Sequence, residues 1–327
     1  MTARLVVLDS PFGDIDVEIE AAAAYGVTVE DAGGVSGQAI VAAAGTADGV
    51  LVQFEKIEAD VIAQCPGWRV IGRYGVGVDN VDLEAATRRG IAVINVPDYC
   101  VEEVATHTAA LVLAGTRKLA QSRASIDAGR WADWQVVRPV KPLSTCTLGL
   151  VGIGRIGAEV ARLLSPFFGR VIAHDPVAEP PAGIEPAGLD EVFAEGDVVS
   201  LHCPLTPETE QLVDAERLAS MKPHAMLVNV SRGGLVDTAA LAAGLAAGRP
   251  ALAALDVLPE EPPSPHDPVL AASNLLLTNH TAWYSETALV TLRRLAAERC
   301  GAFLAGKPVP TIVNTRELAA AGDVAVG

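Results

Sequence analysis

Short apolar runs alternate with helix-like stretches along the first hundred residues. Each run is bounded by polar or turn-forming residues, as Asp9-Ser10-Pro11 bounds the first, which is typical of a buried parallel strand. The runs lie at residues 5–8, 27–29, 50–52 and 70–71. Alternating strands and helices at this spacing predict an α/β unit with a parallel sheet.

A second series of the same kind begins at residues 147–151. Five further apolar runs continue it, at residues 171–173, 198–201, 227–230, 253–255 and 275–277. Two series in one chain predict two Rossmann-like domains with parallel sheets, and we expect an active site in the cleft between them.

Two helical patterns suggest how the chain passes between these domains. Residues 101–119 read as one long helix with Glu102 and Glu103 in its first turn, where acidic side chains are favourable. Residues 286–304 form a second helical pattern after the last strand. We therefore predict a first domain over residues 1–101, a nucleotide-binding domain over 102–283, and a return to the first domain over 284–327. The Ala/Gly-rich tail beyond Arg316 is expected to fray.

Composition excludes some classes of function. The 327 residues are 50% hydrophobic, enough for large cores, and carry a formal net charge of −16, which disfavours a nucleic-acid partner. The five cysteines are scattered and lack metal-ligand spacing, so we predict no metal site and a reducing compartment. With no signal-peptide pattern and no membrane-spanning run, a cytoplasmic location is expected.

A glycine-rich motif follows the first strand of the second series. Gly152-Ile153-Gly154-Arg155-Ile156-Gly157 has the G-x-G-x-x-G spacing and opens a helix predicted over residues 158–164. This is the context in which such a turn binds a dinucleotide pyrophosphate. Asp175, at the end of the next strand, can accept hydrogen bonds from ribose hydroxyls and would repel a 2′-phosphate. The sequence therefore predicts NAD as the cofactor.

Three later segments each follow a strand of the second series, where ligands collect in open α/β sheets. They contain Arg232, Glu261 and His280, and so could bring a cation, a carboxylate and an imidazole to one crevice. Each residue alone has an ordinary alternative: a surface cation, a solvated acid or a helix-capping histidine.

Further motifs occur in a characteristic order. They are Gly75-Val76-Gly77-Val78-Asp79-Asn80, the glycine-rich turn, Leu201-His202-Cys203-Pro204-Leu205-Thr206, Ser231-Arg232-Gly233-Gly234, Glu261-Pro262 and the His280 segment. In this combination the chain resembles the D-isomer-specific 2-hydroxyacid dehydrogenases over nearly its whole length. The segment Ala282-Trp283-Tyr284-Ser285-Glu286 looks most like the C-terminal-binding-protein branch of that family.

The resemblance implies an NAD-dependent oxidoreductase that interconverts a 2-oxo acid and a D-2-hydroxy acid. Arg232 would bind the substrate carboxylate and polarise its carbonyl, a task suited to a planar guanidinium. His280 would act as general acid and base. Glu261 would pair with His280, favour the charged imidazole and fix its tautomer.

The resemblance implies further binding residues. For the substrate these are Arg73, Val76, Gly77 and Trp283. For the cofactor they are Thr108, Cys203, Pro204, Thr209, Val230, Ser231 and Asp256, with Asp256 on the nicotinamide carboxamide. The resemblance leaves the identity of the substrate side chain open, because Trp283 would favour a hydrophobic group whereas Arg73 and Lys56 could accept a second acid.

Two alternatives accompany this interpretation. The C-terminal-binding-protein resemblance also allows an NAD(H)-sensing dimeric binding protein of the corepressor type. Separately, Trp131 and Trp134 lie in a Pro-bounded loop, where they predict a homodimer contact. The alternative for these tryptophans is packing within their own chain.

Overall fold

The computed structural model describes residues 2–315 and Leu318, and they form two compact units. One comprises the residues up to Tyr99 together with the described residues from Ser285 onward, and the other comprises Cys100–Tyr284. Each unit has its own parallel sheet, which confirms the predicted fold class.

The first unit is built on a parallel sheet of five strands within the described residues, in the order β2-β1-β3-β4-β5. Residues 50–52 of its central strand are entirely buried, as expected where helices cover both faces of a parallel sheet. The sequence patterns missed the short strand β5. The elements are β1 Ala3–Val7, α1 Asp16–Ala23, β2 Val27–Asp31, α2 Gln38–Ala44, β3 Gly49–Val52, α3 Ala59–Gln64, β4 Val70–Arg73, α4 Leu83–Arg88 and β5 Ala92–Ile94.

The second unit has a parallel sheet of seven strands, counted over its described residues, in the order β12-β11-β10-β9-β6-β7-β8. The strand order reverses between β6 and β9, which pair directly, so the crevice at their carboxyl ends is where ligands bind in such sheets. The strands are β6 Thr147–Val151, β7 Arg170–His174, β8 Glu185–Pro186, β9 Val198–Leu201, β10 Met226–Asn229, β11 Leu252–Leu255 and β12 Leu275–Leu277.

Two helices of this unit differ from their predicted bounds. The long helix stops at Thr116 rather than residue 119, because Lys118 adopts a left-handed backbone (φ 56°) and a separate helix then begins at Leu119. The helix after the glycine-rich turn begins at Arg155, three residues before the predicted start. The helices are α5 Val101–Thr116, α6 Leu119–Asp127, α7 Arg155–Leu164, α8 Leu189–Glu195, α9 Ala215–Ser220 and α10 Thr238–Ala246.

A last helix, α11 (Glu286–Leu304), belongs to the first unit and packs against α1 and β4. Ser285 caps it by accepting a hydrogen bond from the backbone N–H of Ala288. Arg293 on α11 is only 6% exposed, and its guanidinium binds the carboxylate of the fully buried Glu18 on α1 at 2.8 and 2.9 Å. The hydroxyl of Tyr74 donates to the same carboxylate at 3.0 Å. This ionic cluster joins the two sequence segments of the first unit.

The chain beyond α11 covers the edge of the first sheet. The side chain of Asn314 accepts a hydrogen bond from Val93 N–H and donates to the carbonyl of Ile91, while Ile312 bridges Ile94 in antiparallel fashion. An edge strand covered in this way presents fewer free backbone groups for pairing with other chains. The tail expected to fray beyond Arg316 lies outside the described residues, apart from Leu318.

Across the described part of the chain, every helix is too short or too polar to pass through a bilayer.

The buried ionic cluster predicts the effect of one substitution on stability. Arg293→Met should lower the free energy of unfolding by about 3–5 kcal/mol, because it leaves the Glu18 carboxylate buried without a cation. Urea unfolding followed by circular dichroism would measure it. The matched control, Arg294→Met, removes an exposed arginine that pairs with Glu298 one turn along the same helix, and should cost less than about 1 kcal/mol. Similar losses of unfolding free energy in both variants would contradict the interpretation that Arg293 compensates the buried charge of Glu18.

Candidate active site

The candidate site lies along the carboxyl edge of the second sheet. The loops that follow its strands carry almost all of the predicted cofactor and catalytic residues of that unit, because the carboxyl ends of parallel strands meet at one edge. Asp175 follows β7, Cys203 follows β9, Arg232 follows β10, Glu261 follows β11 and His280 follows β12.

The glycine-rich turn has backbone geometry that other residues could not adopt. Gly152 has a φ of +93°, and a Cβ built there would lie 2.7 Å from the backbone nitrogen of Cys203. A Cβ on Gly157 would lie 2.2 Å from the carbonyl oxygen of Gly152. The turn is therefore as tight as the dinucleotide motif requires, and it lies against the predicted Cys203–Pro204 segment.

The open side of the turn fits a pyrophosphate. A Cβ built on Gly154 would meet no described atom within 4 Å, and Gly154 and Arg155 are exposed. Helix α7 begins directly after Gly154 without a side-chain cap, so the amide groups of Arg155 and Ile156 in its first turn point outward. Backbone N–H groups and the positive end of a helix are what bind dinucleotide phosphates.

Asp175 lies beside this turn as a carboxylate held by the backbone. One of its oxygens accepts from Ile153 N–H at 2.8 Å, and the other accepts from Val177 and Ala178 N–H, both at 2.9 Å. Burial opposes ionisation of this carboxyl, but these hydrogen bonds outweigh burial and hold its pKa below the usual range. A negative charge is thus fixed next to the predicted ribose position.

The Cys203 and Ser231 loops are joined to each other. Ser231 donates its hydroxyl to the carbonyl of Leu201 at 2.9 Å, and the hydroxyl of Thr209 donates to the carbonyl of Pro204 at 2.7 Å. Burial raises the pKa of the Cys203 thiol to about 11, so it is a neutral lining group rather than a nucleophile. Val230 is largely buried beside this pair of loops.

Thr108 is placed differently from the other predicted cofactor residues. It is fully buried on α5, and its hydroxyl donates to the carbonyl of Val104 at 2.7 Å. The structure therefore does not bring Thr108 to an open surface of the crevice.

His280 and Glu261 form a short polar contact in the crevice. Nδ1 of His280 lies 2.5 Å from one carboxylate oxygen of Glu261, while the other oxygen accepts from Leu258 N–H at 3.0 Å. Burial alone would raise the pKa of Glu261, but the hydrogen bond and charge of His280, the Leu258 N–H and the charge of Arg232 outweigh it, so its pKa is lowered. Because an ionised carboxylate has no proton, Nδ1 carries the shared hydrogen and Nε2 is left for a ligand.

The backbone at His280 is left-handed, with a φ of 56°, a conformation that is rare for residues other than glycine and clusters at functional sites. Asp256, 2% exposed, holds this conformation. Its carbonyl accepts from His280 N–H, and its carboxylate accepts from Thr278 Oγ1 and from the N–H groups of Thr281 and Ala282. The sequence suggested a nicotinamide contact for Asp256, whereas its carboxylate here is buried and engaged by the His280 loop.

Two residues of this network, His107 and Thr278, were given no role by the sequence patterns. His107 on α5 lies with Nε2 3.1 Å from Thr278 Oγ1 and 3.8 Å from the Asp256 carboxylate. Both residues are half-buried. His107 belongs to no recognisable motif, and Thr278 begins the segment that carries His280 but was given no role, so spacing alone could not assign their contact.

Arg232 is positioned by Asn229, which is fully buried at the end of β10. The amide nitrogen of Asn229 donates to the carbonyl of Arg232, and its amide oxygen accepts from Ser231 N–H. Gly233 lets this loop approach the next one, since a Cβ there would lie 1.9 Å from the carbonyl carbon of Leu258. A polar residue at the end of an otherwise buried strand was a signal that could have identified Asn229.

Trp283 and Tyr284 follow the His280 loop as a pair. Their rings meet edge to face, with centroids 5.6 Å apart and planes at 83°. Trp283 is half-buried and Tyr284 is exposed. The pair presents an aromatic surface three residues from His280.

The predicted substrate residues of the first unit form a local cluster of their own. A Cβ on Gly75, whose φ is +144°, would lie 1.6 Å from a guanidinium nitrogen of Arg73, so the arginine packs directly on that glycine. The carbonyl of Val76 accepts from the side chain of Asn95 at 2.6 Å. Gly77 continues the same loop at the carboxyl end of β4.

The described residues offer no cluster of side chains that could bind a metal ion. Within residues 2–315 and Leu318, no group of three or more His, Cys, Asp or Glu side chains is arranged to hold a metal ion.

Comparison with known proteins identifies the family. The family model for the NAD binding domain of D-isomer specific 2-hydroxyacid dehydrogenases matches residues 109–282. A glyoxylate reductase of Aeropyrum pernix is 38% identical over 272 residues, covering 80% of each chain. The chain belongs to the D-isomer specific 2-hydroxyacid dehydrogenases. The resemblance noted from its motifs is thereby confirmed, and residues 109–282 are an NAD binding domain.

Other relatives of this 2-hydroxyacid dehydrogenase differ in length. A D-3-phosphoglycerate dehydrogenase of Archaeoglobus fulgidus is 36% identical over 294 residues, and the match covers 88% of this chain but 55% of that protein. The chain thus spans about half the length of that relative. The crystal structure of D-lactate dehydrogenase from Aquifex aeolicus, complexed with NAD and lactic acid, is 27% identical, with a TM-score of 0.82 over 92% of this chain and 96% of the other. These relatives lend no support to the C-terminal-binding-protein alternative.

The charge of Asp175 predicts the choice of cofactor. In this 2-hydroxyacid dehydrogenase, Asp175→Ala should lower the preference for NADH over NADPH at least about tenfold, because it removes both a charged acceptor and the repulsion of a 2′-phosphate. Fluorescence titration with each cofactor would measure it. Asp190→Ala, at an exposed position of the same unit, is the control and should leave the ratio unchanged. An unaltered ratio in Asp175→Ala would show that other residues select the cofactor.

Proposed function

We propose that the chain is an NAD-dependent dehydrogenase that interconverts a 2-oxo acid and a D-2-hydroxy acid. The observation that carries the proposal is the 2.5 Å pairing of His280 with Glu261 on the loop next to Arg232. A cation, an oriented imidazole and an ionised carboxylate at the carboxyl edge of a dinucleotide-binding sheet are the groups that this reaction requires.

His280 is the general acid and base of the proposed reaction. Its Nδ1–H is held by Glu261, so Nε2 faces the substrate, donates a proton to the carbonyl oxygen as the alcohol forms, and recovers one in the reverse direction. The negative charge of Glu261 stabilises the charged imidazole that must exist before each reduction. The left-handed backbone, held by Asp256, keeps the ring in this orientation.

Arg232 is the proposed anchor. Its guanidinium can bind the substrate carboxylate with two parallel hydrogen bonds and polarise the adjacent carbonyl. Asn229 holds the Arg232 carbonyl and the Ser231 N–H through the two ends of its amide, which limits the loss of freedom on binding. NAD, bound at the glycine-rich turn, supplies or accepts the hydride.

The substrate class rests partly on relatives. Those named above act on glyoxylate, phosphoglycerate or lactate according to their names, and we propose a short 2-oxo acid of this kind here. The backbone N–H groups of Val76 and Gly77 are proposed to contact its carboxylate, with Arg73 as a nearby cation. Trp283 is proposed to contact its side chain, favouring a hydrophobic group, whereas a second acid would need Arg73 or Lys56.

Replacing His280 tests the proposal most directly. His280→Asn should lower kcat for 2-oxo acid reduction about 10²–10⁴-fold while NADH affinity changes little, because the proton donor is lost and the glycine-rich turn is untouched. Steady-state kinetics and NADH fluorescence would measure the two effects. His266→Asn, at an exposed position of the same unit, is the matched control. Activity retained in His280→Asn would contradict the mechanism.

The lowered pKa of Glu261 predicts part of the pH profile. A carboxylate with a depressed pKa contributes above its ordinary titration range and is lost only as pH falls through the lowered value. Reduction should therefore persist on acidification through the usual range for glutamate, whereas Glu261→Gln should lower kcat at every pH in that range, because no carboxylate is left to orient His280. A separate assay distinguishes an enzyme from an NAD(H) sensor. An enzyme would oxidise NADH with at least one 2-oxo acid of a panel, whereas a sensor would bind NADH tightly and reduce none of these acids.

We also propose a cytoplasmic homodimer. All five cysteines are free thiols, as is typical of a reducing compartment. Trp131 and Trp134 are 82% and 63% exposed, and this exposure supports a contact with a second chain. Leu119 and Ile126 on the preceding helix are exposed as well, and together these side chains form an apolar surface of a kind that marks subunit contacts.

The dimer proposal predicts the effect of removing the tryptophans. Replacing both Trp131 and Trp134 by Ser should weaken dimerisation at least about thirtyfold, since even one buried tryptophan at an interface centre contributes about 2 kcal/mol or more. Sedimentation velocity at micromolar concentration would measure it. Val290→Ser, an exposed apolar position on α11, serves as control. A monomeric wild-type chain at these concentrations would contradict the proposal.

A further inference from the structure

A second pocket opens at the amino edge of the sheet of the second unit, opposite the glycine-rich turn. Val198, Met226 and Leu252, which line it, are the first residues of β9, β10 and β11. The rest of its wall comes from the end of α5, the start of α6 and the segment before β6. None of these residues has a part in the proposed reaction.

Asp197 forms the base of this pocket, and three basic side chains surround its carboxylate. Lys222 Nζ donates to one oxygen at 2.8 Å, Lys141 Nζ donates to the other at 3.1 Å, and His224 Nε2 lies 2.6 Å from that second oxygen. Burial alone would raise the pKa of Asp197, but these hydrogen bonds and one from Thr147 N–H outweigh it and hold it well below its usual range. Asp197 is thus a permanent anion whose acceptor sites are already taken.

Lys118 lines the same pocket, and its ammonium forms no hydrogen bond or ion pair with any residue that the structure describes. The side chain is half-buried, and this burial lowers the pKa of the ammonium. Its backbone is left-handed, a conformation that costs free energy in residues other than glycine. A partly desolvated cation without a counter-ion is unfavourable unless an anion joins it.

The charges around the pocket do not balance. Lys118, Lys141 and Lys222 carry three positive charges, and Asp197 supplies the sole carboxylate among the described residues of this cluster. Even with His224 neutral, two positive charges are in excess, in a chain whose net charge is −16. The excess equals the charge of one small dianion.

The size of the pocket limits the ligand. Its free volume is about 50 Å³. Since roughly 10–15 Å³ of such volume accommodates one water molecule, the pocket holds a few non-hydrogen atoms. A tetrahedral oxyanion fits this space, whereas a nucleotide does not.

We propose that Lys118, Lys141 and His224 form a binding site for a phosphate-type dianion at the amino edge of the NAD binding sheet. The anion pairs with the two lysines, lies beside the imidazole of His224, whose Nε2 is already engaged by Asp197 and Lys141, and neutralises the excess charge around Asp197. Binding stabilises the second unit, because the ligand binds the folded chain and joins Lys118, next to the start of α6, to Lys141 in the segment before β6. The site is separate from the dehydrogenase reaction and does not rest on it.

Calorimetric titration of the NADH-bound protein with inorganic phosphate tests the proposal. NADH occupies the glycine-rich turn, and sodium chloride at matched ionic strength corrects for screening. One phosphate should bind per chain, with a millimolar or smaller Kd and a rise in Tm. Lys118→Asn, which suits the left-handed backbone, should raise that Kd at least tenfold without lowering Tm in the absence of phosphate.

Lys307→Asn makes the same charge change at an exposed position of the first unit and should leave the Kd within twofold of wild type. Lys141→Gln is the second variant and should weaken phosphate as Lys118→Asn does. Competition by glycerol 3-phosphate would extend the site to phosphate esters, and its absence would restrict the site to the free ion. No saturable binding to the wild-type protein, or equal binding to Lys118→Asn, would overturn the proposal.

Discussion

The buried carboxylate of Asp256 holds the backbone on which the geometry of the proposed catalytic residues depends. Parallel pairing brings the ends of β11 and β12 side by side, and Asp256 then binds the hydroxyl of Thr278 and two backbone N–H groups just beyond His280. A histidine in a left-handed conformation would otherwise relax to a more populated one. The 2.5 Å contact with Glu261 therefore depends on a residue that does not need to touch the substrate.

Charged groups at both edges of the sheet of the second unit follow one physical rule. A buried carboxylate stays ionised where several hydrogen-bond donors surround it. At the carboxyl edge, Asp256 is satisfied mainly by backbone and hydroxyl donors and serves to fix a loop. At the amino edge, Asp197 is satisfied by lysines and a histidine, which leaves positive charge to spare. The two edges of the same sheet thus differ in the net charge that surrounds their buried carboxylate.

Sequence patterns predicted the parallel strands well because strands buried on both faces are continuous apolar runs. They predicted Asp175, Glu261 and His280 as site residues because each follows such a run. They missed β5 and β8, strands of three and two residues, and the break at Lys118, where nothing in the residue type indicates a left-handed backbone. The contacts of His107 and Thr278 depend on how α5 packs on the sheet, a tertiary relation that no local spacing contains.

The discontinuous first unit has a consequence for biosynthesis. Its first segment leaves the ribosome before the NAD binding unit, yet Glu18 and the inner face of α1 find their partners on α11, about 275 residues later. Contacts so distant in sequence form late and slowly. The second unit is complete at Tyr284 and can therefore fold during translation. Until α11 has been synthesised, the Glu18 carboxylate has no cation to pair with and the apolar face of α1 is exposed. During that interval, chaperones would bind these exposed groups on the nascent chain.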